Sequence, residues 1–160
     1  MAETSAIPQV GDKAPAFKLP SSTGETIDLS KLKGRTVVLY FYPRADTPGC
    51  TKEACGFRDD SATLKKLGVV VLGVSGDDAA SHTKFRAKYK LPFTLLSDPS
   101  KKTMTAYGAY GEKTMYGKKV VGVIRSTVWV GPDGTVKKHW ARVPKADEHP
   151  TKVLQALQAD

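Results

Sequence analysis

The chain has 160 residues, 40% of them apolar, with 14 glycines and 10 prolines. That length and mix exclude a disordered chain and suit one domain, residues 1–160, around a sizeable core. No apolar run approaches the ~18 residues of a membrane-spanning helix, and the lysines behind the net charge of +9 are scattered beside apolar elements, as in Lys65-Lys66 and Lys137-Lys138; they read as solvated faces, not as a specific nucleic-acid interface.

Residues 1–10 read as a loose leader, the first seven flexible, without the charged-then-apolar pattern of a secretory signal. Ala14–Pro20 and Thr26–Leu29 flank a turn at Gly24 and predict a short hairpin. Ser30–Lys33 is a helical turn closed by Gly34. The unbroken apolar run Val37–Tyr42 predicts a strand over 36–42 buried on both faces. Pro43, Pro48 and Gly49 end it. A helix then runs from about Cys50 to Lys66, with an imperfect stripe of Ala54, Phe57, Ala62, Leu64 and Leu67. Val69–Val74 is a second strand. Gly76-Asp77-Asp78 caps a helix over Ala79–Lys90 whose core face is Phe85 and Tyr89. Phe93–Leu96 is a third strand, and Ser97–Ser100 turns into a helix through Tyr107. Gly108–Val121 is expected to be mostly loop. Val123–Val130 is a strand, Gly131–Gly134 a hairpin turn and Thr135–Val143 the returning strand. Pro150 opens a last helix with Val153, Leu154 and Leu157 inward. This order predicts an α/β sandwich whose sheet is parallel in its middle and antiparallel after residue 123.

Two cysteines, Cys50 and Cys55, are too few for a disulfide scaffold, so a reducing compartment, the cytoplasm, is expected. Cys50 follows Pro48-Gly49 at a helix head, where unpaired N–H groups and the positive end of the helix dipole favour a thiolate; the alternative is a small buried hydrophobe. Thr47 has a hydroxyl placed to bond the sulfur or an oxygen beside it, or simply to cap the helix. Pro43 terminates the strand and would shield a thiolate from water. Lys52 and Arg44 are nearby cations. Arg125 stands inside an apolar strand, costly unless paired, unless that strand is an edge that shows it to solvent. Glu53, one turn after Cys50, would orient an arginine or lie on the helix surface. Cys55 is a second thiol or a packed residue. In an intact helix its Cα would lie roughly 8.7 Å from that of Cys50, beyond the about 4.4–6.8 Å of a disulfide. The pair can bond only if the helix's first turns unwind, and Gly49 and Gly56 would ease that.

Pro43-x-x-x-Thr47-x-x-Cys50 matches the P-x-x-x-[TS]-x-x-C motif of peroxiredoxins. With Gly11–Phe17, Glu53 and Ile124-Arg125-Ser126-Thr127 in order, the chain resembles the peroxiredoxin Q group, also called bacterioferritin comigratory proteins, over roughly residues 8 to 157. The resemblance implies a thioredoxin-like three-layer sandwich, a central mixed sheet flanked by helices, with an N-terminal hairpin extension. It implies a thiol peroxidase without metal or organic cofactor. Cys50 would be the peroxidatic cysteine, its site completed by Pro43, Thr47 and Arg125. The group's other resolving position, around residues 79–90, holds no cysteine here, which leaves Cys55 as the resolving thiol within one chain. Thioredoxin or a similar dithiol would be the reductant, and a monomer is expected. The G-G-L-G segment linked to overoxidation sensitivity is absent, so resistance to sulfinic acid formation is expected.

Two rivals remain at this level. A thioredoxin-like disulfide oxidoreductase would use Cys-x-x-Cys and a proline facing the site; the spacing here is Cys-x4-Cys, and no proline lies between Pro99 and Pro132. A metal- or nucleic-acid-binding module would need further ligands, and His82, His139 and His149 are scattered. No G-x-G-x-x-G, phosphate loop, H-E-x-x-H or G-x-S-x-G occurs.

Overall fold

The computed structural model describes residues 8–115 and 117–159, so the expected leader over residues 1–7 lies outside it. Lys18–Pro20 (β1) pairs antiparallel with Thr26–Asp28 (β2), the expected hairpin, turning through Gly24 at φ +87. A 3-10 turn over Leu29–Leu32, capped by the Asp28 side chain, leads to Thr36–Phe41 (β3). Pro48–Asp59 (α1) and Ser61–Lys66 (α2) follow, then Val69–Ser75 (β4), Ala79–Tyr89 (α3), Thr94–Ser97 (β5) and Lys102–Ala106 (α4). Tyr110–Met115 (β6) and Lys118–Val123 (β7) pair with each other. Ser126–Val130 (β8), Val136–Trp140 (β9) and His149–Ala159 (α5) complete the chain.

Five strands form one sheet in the order β9-β8-β3-β4-β5. β3 lies parallel to β4 and β4 to β5, whereas β8 runs antiparallel to both β3 and β9. This is the mixed sheet the order of elements predicted. Alternation along β3 sorts its side chains. Val38 and Tyr40, with Tyr42 beyond the strand, face a core that includes Ala54, Phe57, Phe85, Trp129 and Val153. Val37, Leu39 and Phe41 face a second core with Phe17, Leu72, Met104, Tyr107 and Val128. Burial on both faces explains why this stretch is a continuous apolar run rather than an alternating one. No helix among the described residues is long and apolar enough to cross a membrane.

The boundaries differ from the sequence reading chiefly in four places. The expected single helix over 50–66 starts two residues earlier, at Pro48, and is broken at Asp60. The expected loop over 108–121 is mostly the β6–β7 hairpin, turning at Gly117 with φ +79. Its strands stand apart from the main sheet and are largely exposed, Val121 at 67%, so no buried face imposes an apolar alternation on the sequence. The expected strand over 123–130 is divided: Val123 ends β7, Ser126 begins β8, and Ile124-Arg125 is the link between them. The last strand stops at Trp140 rather than Val143. On α3 the buried residues are Phe85 and His82, while Tyr89 is half-buried.

Candidate active site

The central strand β3 delivers the chain to the site. Tyr42 is fully buried; Pro43 and Arg44 emerge into solvent, and α1 begins with Pro48 at its first turn. The first helical hydrogen bond runs from the Thr51 N–H to the Thr47 carbonyl, at 2.8 Å. Pro48 has no N–H to donate, so the amides of Gly49 and Cys50 lead the helix with no place in its ladder. The helix-capping residue Thr47 does not cap with its side chain. Its hydroxyl instead donates to the Arg44 carbonyl at 2.9 Å, and the hydrogen bond to the sulfur among the described residues comes from Arg125. That hydroxyl's proton is therefore spent on the backbone, and its lone pairs remain to accept.

Cys50 is 1% exposed and belongs to the core between the sheet and α1. Its sulfur accepts from Nη2 of Arg125 at 3.3 Å. Nη1 of the same guanidinium donates to Oε1 of Glu53 at 2.7 Å. Arg125 reaches both because the chain leaves β7 and enters β8 at this point; the Arg125 carbonyl accepts from the Val143 N–H at 3.0 Å, which fixes the link. Gly49 gives the guanidinium room, since a Cβ there would stand 3.1 Å from Nη2. The alternative of an arginine displayed on an edge strand is thus not what the fold builds. Arg44 and Lys52 are both exposed, and the cation at the sulfur is Arg125.

Glu53 has no exposed surface, and its Oε2 has no hydrogen-bond partner among the described residues. Burial pushes its carboxyl up to about 7, outweighing the downward pull of the Arg125 charge and hydrogen bond. For Arg125 burial works against the charge, but Glu53 and then Cys50 beside it hold its pKa above the ordinary value. The hydroxyls of Tyr40 and Ser126 are also buried without a hydrogen-bond partner among the described residues. Tyr40 stacks on Phe57 at 4.8 Å, and burial drives its phenol well above the ordinary range.

Two buried histidines near this region were weighed in the sequence only as scattered metal ligands. Nε2 of His149, at the head of α5, bonds the Thr127 hydroxyl at 2.7 Å; burial, then Lys152 and Arg125, lowers its pKa to about 4. His82 is fully buried between Ser75 and Ser97. The only available signal for His82 was its spacing of three from Phe85 on one helical face.

Cys55 lies on the same helix, half-buried, and both thiols are free. α1 is continuous from Pro48 to Asp59, so the two cysteines share one unbroken helix. Gly56 meets α5: a Cβ on it would come within 2.7 Å of Pro150 Cγ. Gly49 and Gly56 therefore both serve close approach, a reason for glycine that the sequence reading did not contain. Among the described residues no group of three or more histidine, cysteine or acidic side chains gathers to hold a metal ion.

The sequence pattern of the AhpC/TSA family matches residues 10–139. A putative peroxiredoxin, bcp, of Coxiella burnetii is 49% identical over 149 residues, covering 93% of this chain and 98% of the relative. Peroxiredoxin Bcp of Bacillus subtilis is 42% identical over 150 residues, covering 94% and 95%. Among solved structures, a Xanthomonas campestris peroxiredoxin Q superposes with a TM-score of 0.86 at 38% identity, over 98% of both chains. The bacterioferritin comigratory protein of the same organism, described for its alkyl peroxide reduction activity, superposes with a TM-score of 0.84 at 39% identity, over 89% and 90%.

Proposed function

The chain belongs to the AhpC/TSA family and is a peroxiredoxin of the Bcp/Q group, a thiol-dependent peroxidase with a thioredoxin-like fold; from that premise we propose that Cys50 is its peroxidatic cysteine and Cys55 its resolving one. The observation that carries the assignment is the guanidinium of Arg125, 3.3 Å from the Cys50 sulfur and oriented by Glu53 at 2.7 Å.

In this reading the Cys50 thiolate attacks one peroxide oxygen in line with the O–O bond. The bond breaks, the S–O bond forms, and the other oxygen leaves as water or an alcohol after taking up a proton. Arg125 Nη2 stabilises negative charge first on sulfur and then on the leaving oxygen. The Thr47 hydroxyl, its proton already given to Arg44, accepts from the peroxide O–H and fixes its orientation. Pro43 shields the site on the strand side. The sulfenic acid left on Cys50 is then attacked by the Cys55 thiolate; water leaves and a disulfide forms. The helical separation of the two residues requires α1 to unwind locally first.

Hydrogen peroxide and organic hydroperoxides are the proposed substrates, the latter supported by the alkyl peroxide activity of the Xanthomonas campestris relative. Thioredoxin, or a dithiol like it, returns the disulfide to thiols by exchange. A monomer acting in the cytoplasm fits the two-cysteine, single-chain cycle. The test is peroxide consumption coupled to thioredoxin. Cys50→Ser abolishes it; substantial activity in that variant overturns the assignment.

A further inference from the structure

Helix α3 holds the cysteine-bearing stretch at both of its ends, and one residue takes part at each. Ahead of α1, Asp46 sits in the left-handed region at φ +60, uncommon for residues with a side chain although aspartate is among those that adopt it. Both of its carboxylate oxygens are taken: Oδ2 by Nζ of Lys88 at 2.8 Å and Oδ1 by the Tyr89 hydroxyl at 2.7 Å. Beyond Cys55, Nη1 of Arg58 donates to the Tyr89 carbonyl at 2.8 Å. Tyr89 thus binds residue 46 with its side chain and residue 58 with its backbone, and both cysteines lie between.

A second, half-buried tie secures the residue next to Asp46. The Ala45 N–H donates to Oδ2 of Asp77 at 2.7 Å. The same oxygen accepts from the Ser75 hydroxyl at 2.6 Å, so Ser75 has no proton left for His82. Nε2 of His82 must therefore donate to Ser75 at 2.7 Å, and its Nδ1 accepts from Ser97 at 3.0 Å. This network, with His82 neutral and one Asp77 oxygen accepting from both Ala45 and Ser75, anchors the loop to the ends of β4 and β5. By contrast, the Asp46 clamp is at the surface, with Asp46 and Lys88 side chains 43% and 58% exposed.

Unwinding of α1 removes the Thr51 N–H from the Thr47 carbonyl. The turn over residues 44–47 then rests on the Ala45–Asp77 bond and on the ties of Asp46 to α3, of which the latter are the exposed ones. We propose that Lys88 and Tyr89, through Asp46, are positioning residues for the resolution step: they set how readily the Thr47–Cys55 segment leaves its helical state. They thereby set the partition of oxidised Cys50. In one branch Cys55 sulfur bonds to Cys50 sulfur, the S–O bond breaks and water leaves. In the other a second peroxide gives an oxygen to the sulfenic sulfur, leaving a sulfinic acid and water or an alcohol. The proposal rests on the reading of Cys50 and Cys55 given above.

The test compares the parent protein with Lys88→Met, Tyr89→Phe and the double variant. Two rates are followed: hydrogen exchange of the amides from Thr51 to Cys55 in the reduced protein, and disulfide formation after one equivalent of hydrogen peroxide. In the double variant both rise about three- to tenfold, the scale of one exposed ion pair and one hydrogen bond, and sulfinic acid per turnover falls in proportion. A contact that only held the fold together would slow turnover when removed; release of this clamp speeds one step. Added salt accelerates disulfide formation in the parent and leaves Lys88→Met unmoved, because the exposed pair is what salt screens. Asp46→Asn, which keeps a hydrogen-bonding side chain that tolerates the left-handed conformation, falls between parent and double variant. Exchange and disulfide formation that both stay at parental rates in the double variant overturn the proposal while leaving the roles of Cys50 and Cys55 intact. Faster exchange with no Cys50–Cys55 bond even in the parent overturns those roles and, with them, the partition.

Discussion

Arg125 meets two partners of different kinds, a buried carboxylate and a thiol, and the proposed chemistry depends on that sharing. Arg125→Met removes the one cation at the sulfur, and the second-order rate with hydrogen peroxide is expected to fall about a hundredfold, the scale of losing one transition-state donor. It also leaves Glu53 buried without its counter-charge, so stability falls as well; adding Glu53→Gln restores stability but not rate. Stopped-flow kinetics and chemical denaturation on the same three proteins separate the two effects. Glu53 carries a pH signature of its own. Its carboxyl is raised from 4.5 to about 7 on folding, so between those values the folded protein holds a proton that the unfolded chain has released. Stability from this group is therefore greatest at acid pH and is lost as pH rises through about 7. His82 and His149, lowered to about 4 by burial, act oppositely: their contribution is present above 6.5 and is lost as pH falls below it. The difference between parent and Glu53→Gln isolates the first effect. Between pH 5 and 8 the parent is expected to lose stability relative to the variant, by on the order of 1–3 kcal/mol. A difference that does not change with pH contradicts the raised carboxyl. At this scale the residues within one motif were legible, because Pro43, Thr47, Cys50 and Glu53 stand at fixed local spacings. The Arg125–Glu53 contact, spanning 72 residues, has no local signature. Composition alone left Arg125 either paired or exposed.

In the proposed cycle, helix α1 has to be stable enough to present Cys50 to Arg125 and weak enough to open for Cys55. Its glycines looked, in the sequence, like concessions to opening. Their surroundings give them a different task, since Gly56 lies against Pro150 and Gly49 against Arg125. Gly56→Ala places a methyl group 2.7 Å from Pro150 Cγ and is expected to destabilise the fold by about 1–3 kcal/mol, despite the better helix propensity of alanine, which favours the variant by about 1 kcal/mol. Denaturant midpoints measure the sum, and a stabilised variant would return Gly56 to a flexibility role. The elements that the sequence predicted well are those with a buried face: β3, β4 and α5 each carry an apolar pattern that only burial explains. The β6–β7 hairpin was missed for the converse reason. Val120 and Val121 are exposed, and Gly111 and Gly122 pair across the strands, so neither face writes a period into the chain. The division of the expected 123–130 strand leaves Ile124-Arg125 as a link, and from it the guanidinium reaches α1.

Across the whole molecule, the mixed sheet brings together parts of one site that are far apart in sequence. β3 carries the cysteine loop at its carboxyl end, antiparallel β8 beside it brings Arg125 to the same place, and α5 closes over α1 through Pro150 and His149. All the groups the proposed cycle needs, the attacking thiol, its cation, the cation's carboxylate and the resolving thiol, come from a single chain. That self-sufficiency, with the cysteines on one helix, is tested by peptide mapping by mass spectrometry, under non-reducing conditions, of reduced protein treated with one equivalent of hydrogen peroxide. Consumption of the peroxide is expected, with one bond, Cys50 to Cys55, within a chain that stays a monomer on a non-reducing gel. Unconsumed peroxide, or disulfides found only between chains, would contradict it.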